Sequence, residues 1–262
     1  MYGLHLGLFY FNQEKSLFLQ PQLTEESAHA VTVENDNVQE ITIEVEDEVN
    51  LRGWLVDNRK DNISPSPLLI YFGGNGEELS RIITQFEALD NWSVLLMNYR
   101  GYGLSDGTPS EENLFHDATK IHDVITNQES IDENTVVAMG RSMGTAPATH
   151  LSKKRDMSGT ILVSPYDSRT ELSKHRHPFL PIDWLIRHPF ELSDKAPNID
   201  SALLAFIASE DRVIPPDHSE VTIQSWAGKT EEVWLDGVGH NNLQSDAKYL
   251  ENINQFLARK IE

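Results

Sequence analysis

Short apolar runs alternate with segments of helical periodicity along most of this chain, and this alternation constrains the fold more than any other feature. Leu68–Phe72 (LLIYF) is continuously apolar, as in a strand that is buried on both faces of a sheet. Glu77–Asp90 follows with apolar residues at helical spacing, and the alternation then repeats. Repeated β-α-β units with short connections predict a mostly parallel, twisted sheet with helices on both faces.

The complete pattern predicts about eight strands. Alternating apolar residues over 38–56 indicate two antiparallel strands at one sheet edge. The other predicted strands are 68–72, 94–97, 135–139, 160–163, 202–208 and 232–235, and the predicted helices are 77–90, 114–125, 144–151, 219–226 and 243–256. The interruption at 166–198, rich in proline, histidine and aromatic residues, predicts a lid over the carboxyl ends of the strands. We expect one domain at 38–262, which includes this lid, and a segment at 1–37 that packs on or flanks it.

The composition excludes several classes of function. The chain has 262 residues, a net charge of -20 and no cysteine. Such a negative protein is repelled by nucleic-acid phosphates, so we expect no nucleic-acid partner. The lack of cysteine excludes disulfides, thiolate metal sites and a cysteine nucleophile.

The segment Met1–Phe11 (MYGLHLGLFYF) is apolar and aromatic. It lacks the basic residues that open a signal peptide, and at about 1.5 Å per helical residue it is too short to cross a hydrocarbon layer of about 30 Å. We expect it to pack on the fold, with a peripheral membrane contact as the alternative. The predicted location is the cytoplasm, and membrane association is the corresponding alternative.

Gly140–Gly144 (GRSMG) is the strongest chemical motif, because it follows a predicted buried strand and opens a predicted helix. A serine at such a sharp strand-to-helix turn is lifted above the sheet, where it can act as a nucleophile. The flanking glycines suit a turn in which side chains would collide with neighbouring backbone. Ser142 is therefore the predicted nucleophile; an ordinary helix N-cap is the alternative.

A serine nucleophile needs a base, and the base needs an anion that orients it. His240 lies in a loop between the last predicted strand and the last helix, at the same sheet edge as Ser142. Asp211 directly follows the strand 202–208; Glu210 is the alternative. The chain order is then serine, aspartate, histidine. His218, at a predicted helix start after two prolines, is interpreted as a surface residue.

Two backbone N–H groups should stabilise the negative charge that develops on the substrate carbonyl oxygen. One is predicted to be that of Met143, after the nucleophile. The second is expected from the glycine-rich loop after Phe72, with Asn75 as the first candidate and Gly74 as the alternative. The loop is not followed by a phosphate-binding motif, so it does not indicate a nucleotide site.

Together these motifs resemble the α/β-hydrolase superfamily, and in particular small serine hydrolases related to monoacylglycerol and lysophospholipid lipases and protein depalmitoylases. The resemblance covers 41–256 and also includes 98–107 (NYRGYGLSDG) and 164–168 (SPYDS). It implies an α/β-hydrolase fold and hydrolysis of a small-molecule acyl ester through an acyl-enzyme, without cofactor or metal. A thioesterase, a peptidase or amidase with the same triad, and a non-catalytic binding protein are the alternatives.

The predicted lid carries a basic patch in an otherwise acidic chain, formed by Lys174–His177 and Arg187–His188. We expect it to neutralise nearby carboxylates or to cap lid helices; the alternative is that it favours substrates with an anionic group next to a short or medium acyl chain. The candidate substrate-binding residues are Tyr166, Arg176, Trp184 and Arg187.

Overall fold

A computed structural model of the chain describes residues 2–59 and 65–261. Its strands are β1 (Val38–Glu46), β2 (Val49–Asp57), β3 (Ser66–Phe72), β4 (Ser93–Met97), β5 (Ile131–Arg141), β6 (Gly159–Val163), β7 (Leu203–Ala208) and β8 (Thr230–Leu235). Its α-helices are α1 (Tyr2–Leu17), α2 (Glu25–Glu34), α3 (Glu111–Ile125), α4 (Thr145–Lys154), α5 (Arg169–Arg176), α6 (Ile182–Leu185), α7 (Pro216–Ser225) and α8 (Ala247–Ile261). Short 3₁₀ segments lie at Leu79–Gln85, Ser142–Gly144, Ala196–Asn198 and Leu243–Ser245.

The strands form one eight-stranded sheet in the order β1-β2-β4-β3-β5-β6-β7-β8. Strand β2 pairs antiparallel with β1 and β4, and the pairs from β4 through β8 are parallel. The predicted fold class, with about eight mostly parallel strands, is confirmed. Because β3 and β5 are central and parallel, the segments that follow their carboxyl ends meet at one sheet edge.

The continuous apolar runs arise because both faces of the sheet are buried. In β3, Leu68, Ile70 and Phe72 face one apolar layer, and Leu69 and Tyr71 face the other. Helices α3 and α4 contribute to the first layer, and α8 contributes to the second. Apolar side chains on alternate faces of the same strand therefore hold a helix layer on each side.

The helix predicted over 77–90 is wrong in type and length, since only Leu79–Gln85 is helical and it is a 3₁₀ segment. Leu79 and Ile82 are three residues apart and both are buried, a spacing that a 3₁₀ turn also places on one side. The Leu79 N–H donates to the side chain of Asn98 at 3.1 Å, which holds the first turn against β4. Apolar spacing alone did not separate these two helix types.

The N-terminal helix α1 packs beside the segment that contains α5 and α6. Gln13 is buried, and its amide donates to the Leu185 carbonyl at 3.0 Å and accepts from the Arg187 N–H at 2.9 Å. Phe18, just after the helix, is buried against the ring of His188. Across the described part of the chain, each helix is too short or too polar to span a bilayer.

Candidate active site

Ser142 stands at a strained turn between β5 and α4. Its φ is 52°, in the left-handed region that non-glycine residues rarely adopt. A Cβ on Gly140 would collide with the Gly144 carbonyl, and a Cβ on Gly144 would collide with the Phe72 carbonyl. Both glycines are therefore needed for the close approach of backbone that produces this turn.

Three side chains from three loops form a hydrogen-bonded chain at the carboxyl edge of the sheet. The Ser142 Oγ lies 2.9 Å from His240 Nε2. On the opposite side of the ring, His240 Nδ1 lies 2.7 Å from Asp211 Oδ2. The structure thus brings together the three residues predicted to be nucleophile, base and acid, in an arrangement that can move a proton from the hydroxyl to the ring.

The Asp211 carboxylate is buried and receives several donors. Its Oδ1 accepts from the N–H groups of Val213 and Ile214, both at 2.8 Å, and its Oδ2 accepts from Ser164 Oγ at 3.0 Å. Burial acts to raise the pKa of Asp211, but the hydrogen bonds from His240 and from the two backbone N–H groups outweigh it and lower that pKa below its ordinary value. The carboxylate is therefore held ionised beside the histidine.

Ser164 is a residue that the sequence reasoning did not assign. It directly follows β6, and its φ of 47° places it in the same unusual backbone region as Ser142. The available signal was its position, because the first residue after a buried parallel strand lies at the edge where the other site loops meet. By contrast, the side chain of Glu210, the alternative acid, is exposed.

His218 is buried, so its interpretation as a surface residue is wrong. Its Nδ1 lies 2.8 Å from Asp167 Oδ1. The neighbouring Ser219 and Thr222 on α7 donate to the carbonyls of Pro165 and Tyr166. These bonds fix the start of α7 beneath the segment that follows β6, which explains the burial.

The glycine-rich loop after β3 is held from two sides. The Gly74 N–H donates to Glu77 Oε2 at 2.7 Å, so this donor is already engaged. The Asn75 side chain accepts from the Leu19 N–H at 3.1 Å and donates to the Ser16 carbonyl at 3.0 Å. The loop is thereby fixed to the end of α1, a contact that sequence reasoning did not find.

Arg141 connects this loop to the histidine loop. Its Nη1 lies 3.2 Å from Glu77 Oε1, and its Nη2 donates to the His240 carbonyl at 3.0 Å. The side chains of Arg141 and Glu77 are both largely buried. A single guanidinium next to Ser142 therefore orients the two loops on either side of it.

A cavity of about 240 Å³ opens beside Ser142 and contains Met143, Asn75 and Tyr166 in its lining. Helix α1 supplies part of one wall through Phe9, Ser16 and Leu17. A second cavity, of about 570 Å³, lies between α1 and the 176–180 segment and adjoins the first. The residues that line both cavities are Phe9, Ser16, Arg169, Arg176 and His177.

Of the four candidate substrate-binding residues, Tyr166 and Arg176 line the cavity beside Ser142. The structure does not bring Trp184 and Arg187 there. The Trp184 side chain is 90% exposed, and Arg187 is paired with Glu14 at 3.0 Å. Sequence reasoning grouped these residues by charge and aromatic character, which could not separate those that face the cavity from those that face solvent.

Part of the basic patch has the expected carboxylate partners. Lys174 pairs with Glu171 at 2.8 Å and with Asp183 at 2.6 Å. It therefore neutralises carboxylates, as expected.

Comparison with known proteins relates this architecture to a hydrolase family. The family model described as "Serine aminopeptidase, S33" matches residues 64–182. An uncharacterized protein of Mycobacterium tuberculosis is 28% identical over 223 residues, which are 84% of this chain and 79% of that protein. Human alpha/beta hydrolase domain-containing protein 17C is 27% identical over 198 residues, which are 74% of this chain and 58% of that protein.

Solved structures show the same fold at low sequence identity. An alpha-beta hydrolase from Vibrio vulnificus superposes with a TM-score of 0.72 at 18% identity, covering 96% of this chain and 92% of that one. An acetyl xylan esterase from Paenibacillus sp. R4 gives a TM-score of 0.66 at 17% identity, covering 95% of this chain and 98% of that one. At such identities the likeness concerns the fold.

Proposed function

We propose that this chain is a serine hydrolase of the α/β-hydrolase superfamily and that it cleaves carboxylic esters. The observation that carries the proposal is the hydrogen-bonded chain from Ser142 through His240 to Asp211. Its three members come from the loops after β5, β7 and β8, which are far apart in sequence and converge at one sheet edge. Ordinary structural polar contacts do not require a strained serine at the centre of such a chain.

In the proposed reaction, Ser142 Oγ attacks the ester carbonyl carbon while His240 Nε2 takes its proton. Asp211 accepts from Nδ1 and stabilises the positive ring that results. The tetrahedral intermediate then expels the alcohol, which receives the proton from His240, and leaves an acyl group on Ser142. Water then attacks the acyl carbon while His240 again acts as base. The acyl bond to Ser142 breaks, Ser142 recovers its proton from His240, and the carboxylic acid is released.

Negative charge on the carbonyl oxygen would be stabilised by the backbone N–H groups of Met143 and Asn75. Both residues line the cavity with Ser142. Gly74, the alternative to Asn75, is less suitable because its N–H already donates to Glu77. The link from the Asn75 side chain to α1 would keep its backbone in place during the reaction.

The alternative substrates share this mechanism, since thioesters and amides are also attacked at an acyl carbon. An aminopeptidase would need a carboxylate that binds the substrate ammonium group. The described lining of both cavities contains two arginines and neither aspartate nor glutamate, which disfavours a cationic substrate. A non-catalytic protein with this fold would have no need to keep all three residues in hydrogen-bonding contact.

The test is labelling with a fluorophosphonate, followed by hydrolysis of p-nitrophenyl esters of increasing chain length. We expect wild type to be labelled and to turn over the esters, and Ser142→Ala to lose both properties while it stays folded. Ser173→Ala is the matched control, because it removes a hydroxyl from the same cavity. Labelling that persists in Ser142→Ala, or an unlabelled wild type that hydrolyses none of the esters, would contradict the proposal.

A further inference from the structure

Most arginines of this acidic chain have an acidic partner. Eight of the eleven have a carboxylate oxygen within 4.0 Å: Arg52, Arg59, Arg81, Arg100, Arg141, Arg155, Arg187 and Arg259. Within residues 2–59 and 65–261, no such partner is found for Arg169, Arg176 or Arg212. Two of these three, Arg169 and Arg176, line the cavity beside Ser142.

Among the described residues, the hydrogen-bond partners of these two guanidinium groups are neutral. Arg169 Nη1 donates to the His188 carbonyl at 3.2 Å and lies 3.5 Å from Gln13 Oε1. Arg176 Nη2 donates to the Val213 carbonyl at 2.5 Å. A guanidinium has five N–H donors in a planar fork that suits a carboxylate or a phosphate. Each arginine therefore retains donors that an anionic ligand could use.

The charge balance around the cavities is the reverse of that of the chain. The sequence has 41 acidic and 21 basic residues, yet the described lining of the two cavities contains neither aspartate nor glutamate. Burial lowers the pKa of Arg169 to about 10, and the charge of Arg176 acts in the same direction, whereas Tyr166 and Glu111 oppose it. Arg169 stays cationic at neutral pH, and because burial outweighs the attraction of Glu111, its charge is compensated only in part.

We propose that Arg169 and Arg176 form an anion-binding subsite next to Ser142, and that the preferred substrates are esters bearing a carboxylate or phosphate group close to the scissile carbonyl. This inference rests on the proposed function. Both arginines also line the larger cavity, whose other lining residues include Leu8, Phe9 and Leu180. The substrate would place its anion at the arginines and an apolar group between α1 and the 176–180 segment.

The position of the arginines restricts which part of the basic patch takes part. Arg187 and Lys174 have carboxylate partners and line neither cavity, so they are not part of the subsite. Arg169 belongs to it although its charge did not stand out in the sequence. Arg187 is therefore a suitable control, since it has the same charge and lies in the same segment.

The experiment compares p-nitrophenyl hexanoate with p-nitrophenyl hydrogen adipate, which has the same six-carbon chain with a carboxylate in place of the terminal methyl group. A second pair, the acetates of 4-nitrophenol and 3-carboxy-4-nitrophenol, carries the anion on the leaving group instead. For each pair, kcat/KM is measured in wild type, Arg169→Gln, Arg176→Gln and Arg187→Gln. The ratio of anionic to neutral ester, taken relative to wild type, cancels the intrinsic reactivity of the esters.

We expect Arg169→Gln and Arg176→Gln each to lower that ratio about tenfold in one of the two pairs, the loss of a charge-assisted hydrogen bond. Arg187→Gln should leave it within about twofold of wild type. Raising the ionic strength should lower the ratio in wild type and much less in Arg176→Gln. The pair that responds identifies the side of the scissile bond on which the anion lies.

A binding measurement separates this proposal from the proposed function. Monomethyl adipate and glycerol 3-phosphate are titrated calorimetrically into Ser142→Ala and into Ser142→Ala/Arg176→Gln. Binding of either that weakens about tenfold in the double variant supports the subsite and distinguishes carboxylate from phosphate, even if wild type hydrolyses none of the esters. The subsite is excluded if neutral esters are hydrolysed with no arginine-dependent preference, or if neither anion binds in a way that depends on Arg176.

Discussion

Two aspartate–histidine pairs in this molecule have nearly the same geometry and different surroundings. In one, His240 Nδ1 lies 2.7 Å from Asp211; in the other, His218 Nδ1 lies 2.8 Å from Asp167. The Nε2 atom of His240 faces Ser142 at 2.9 Å. The Nε2 atom of His218 is buried and has no hydrogen-bond partner in the described residues.

An aspartate that orients a histidine does not by itself make that histidine a base. A base must also face a proton that it can remove and a cavity that admits substrate. His240 meets the first condition through Ser142, which lines the cavity. His218 lies in the first turn of α7 with its ring against that of His175, and its pair with Asp167 fixes the segment after β6. The His218–Asp167 pair thus has nearly the geometry of the His240–Asp211 pair, and its contacts hold neighbouring segments together.

Replacing each histidine by glutamine tests the difference between the two pairs most strongly. His240→Gln should lower kcat for an ester about 10⁶-fold, because among the described residues His240 is the group placed to take the Ser142 proton. His218→Gln should leave kcat within a few-fold and lower the free energy of unfolding by about 1–3 kcal/mol, the cost of a lost buried hydrogen bond. Ester kinetics and urea unfolding measure the two effects. A large fall of kcat in folded His218→Gln would show that the second pair is also functional.

The carboxylates provide a second, smaller contrast. Asp211→Asn should lower kcat about 10⁴-fold, because the amide favours the wrong histidine tautomer. Asp167→Asn should act mainly on stability, and Glu210→Gln, at an exposed side chain, should change neither property appreciably. A strong effect on kcat from Glu210→Gln together with a weak one from Asp211→Asn would reverse the assignment of the acid.

Replacing the serines that support the two aspartate–histidine pairs should change kcat by a smaller factor. Ser164→Ala removes the 3.0 Å hydrogen bond to Asp211 and should lower kcat about tenfold by loosening the carboxylate. Ser219→Ala removes a comparable buried bond, to the Pro165 carbonyl, and should leave kcat unchanged. Steady-state kinetics of both variants, with KM reported separately, tests whether Ser164 acts through the acid. Equal kcat values for the two would contradict that role.

The smallest expected effect is the pH dependence of stability. The pKa of Asp211 is lower in the folded chain than its ordinary value of 3.8, so its ionised form contributes stability above that value. This contribution is lost as the pH falls through the lower, folded pKa. The difference in unfolding free energy between wild type and Asp211→Asn should change in favour of the variant as the pH falls below about pH 4. Glu210→Gln serves as control, and a difference that is independent of pH would contradict the lowered pKa.

The sequence was sufficient for the sheet and for the convergence of Ser142, Asp211 and His240. Buried parallel strands have continuous apolar sequences, and the residue that follows such a strand lies at the carboxyl edge of the sheet. The order of these three residues along the chain then predicts which loop carries each of them, without any knowledge of interatomic distances. The same reasoning applies to Ser164, because it directly follows the buried strand β6.

The sequence does not predict which distant segments contact each other. The bonds of Asn75 to Ser16 and Leu19 join residues 59 and 56 positions apart, and the apolar pattern of α1 does not specify which loop it contacts. Arg169 and Arg187 are likewise equivalent by residue type. Only the position of Glu14, 173 residues before Arg187, decides which of them is neutralised. His218 was misplaced because its partner, Asp167, lies 51 positions away.

The guanidinium of Arg141 has a mechanical consequence. It holds Glu77 on one side and the His240 carbonyl on the other, so the glycine-rich loop and the histidine loop are fastened to the same rigid strand end. Thermal excursions of the two loops should then be correlated, and neither should open alone on the timescale of local unfolding. Amide protons of 73–76 and 237–242 would exchange with solvent at similar rates, and both sets would exchange faster once this single link is removed.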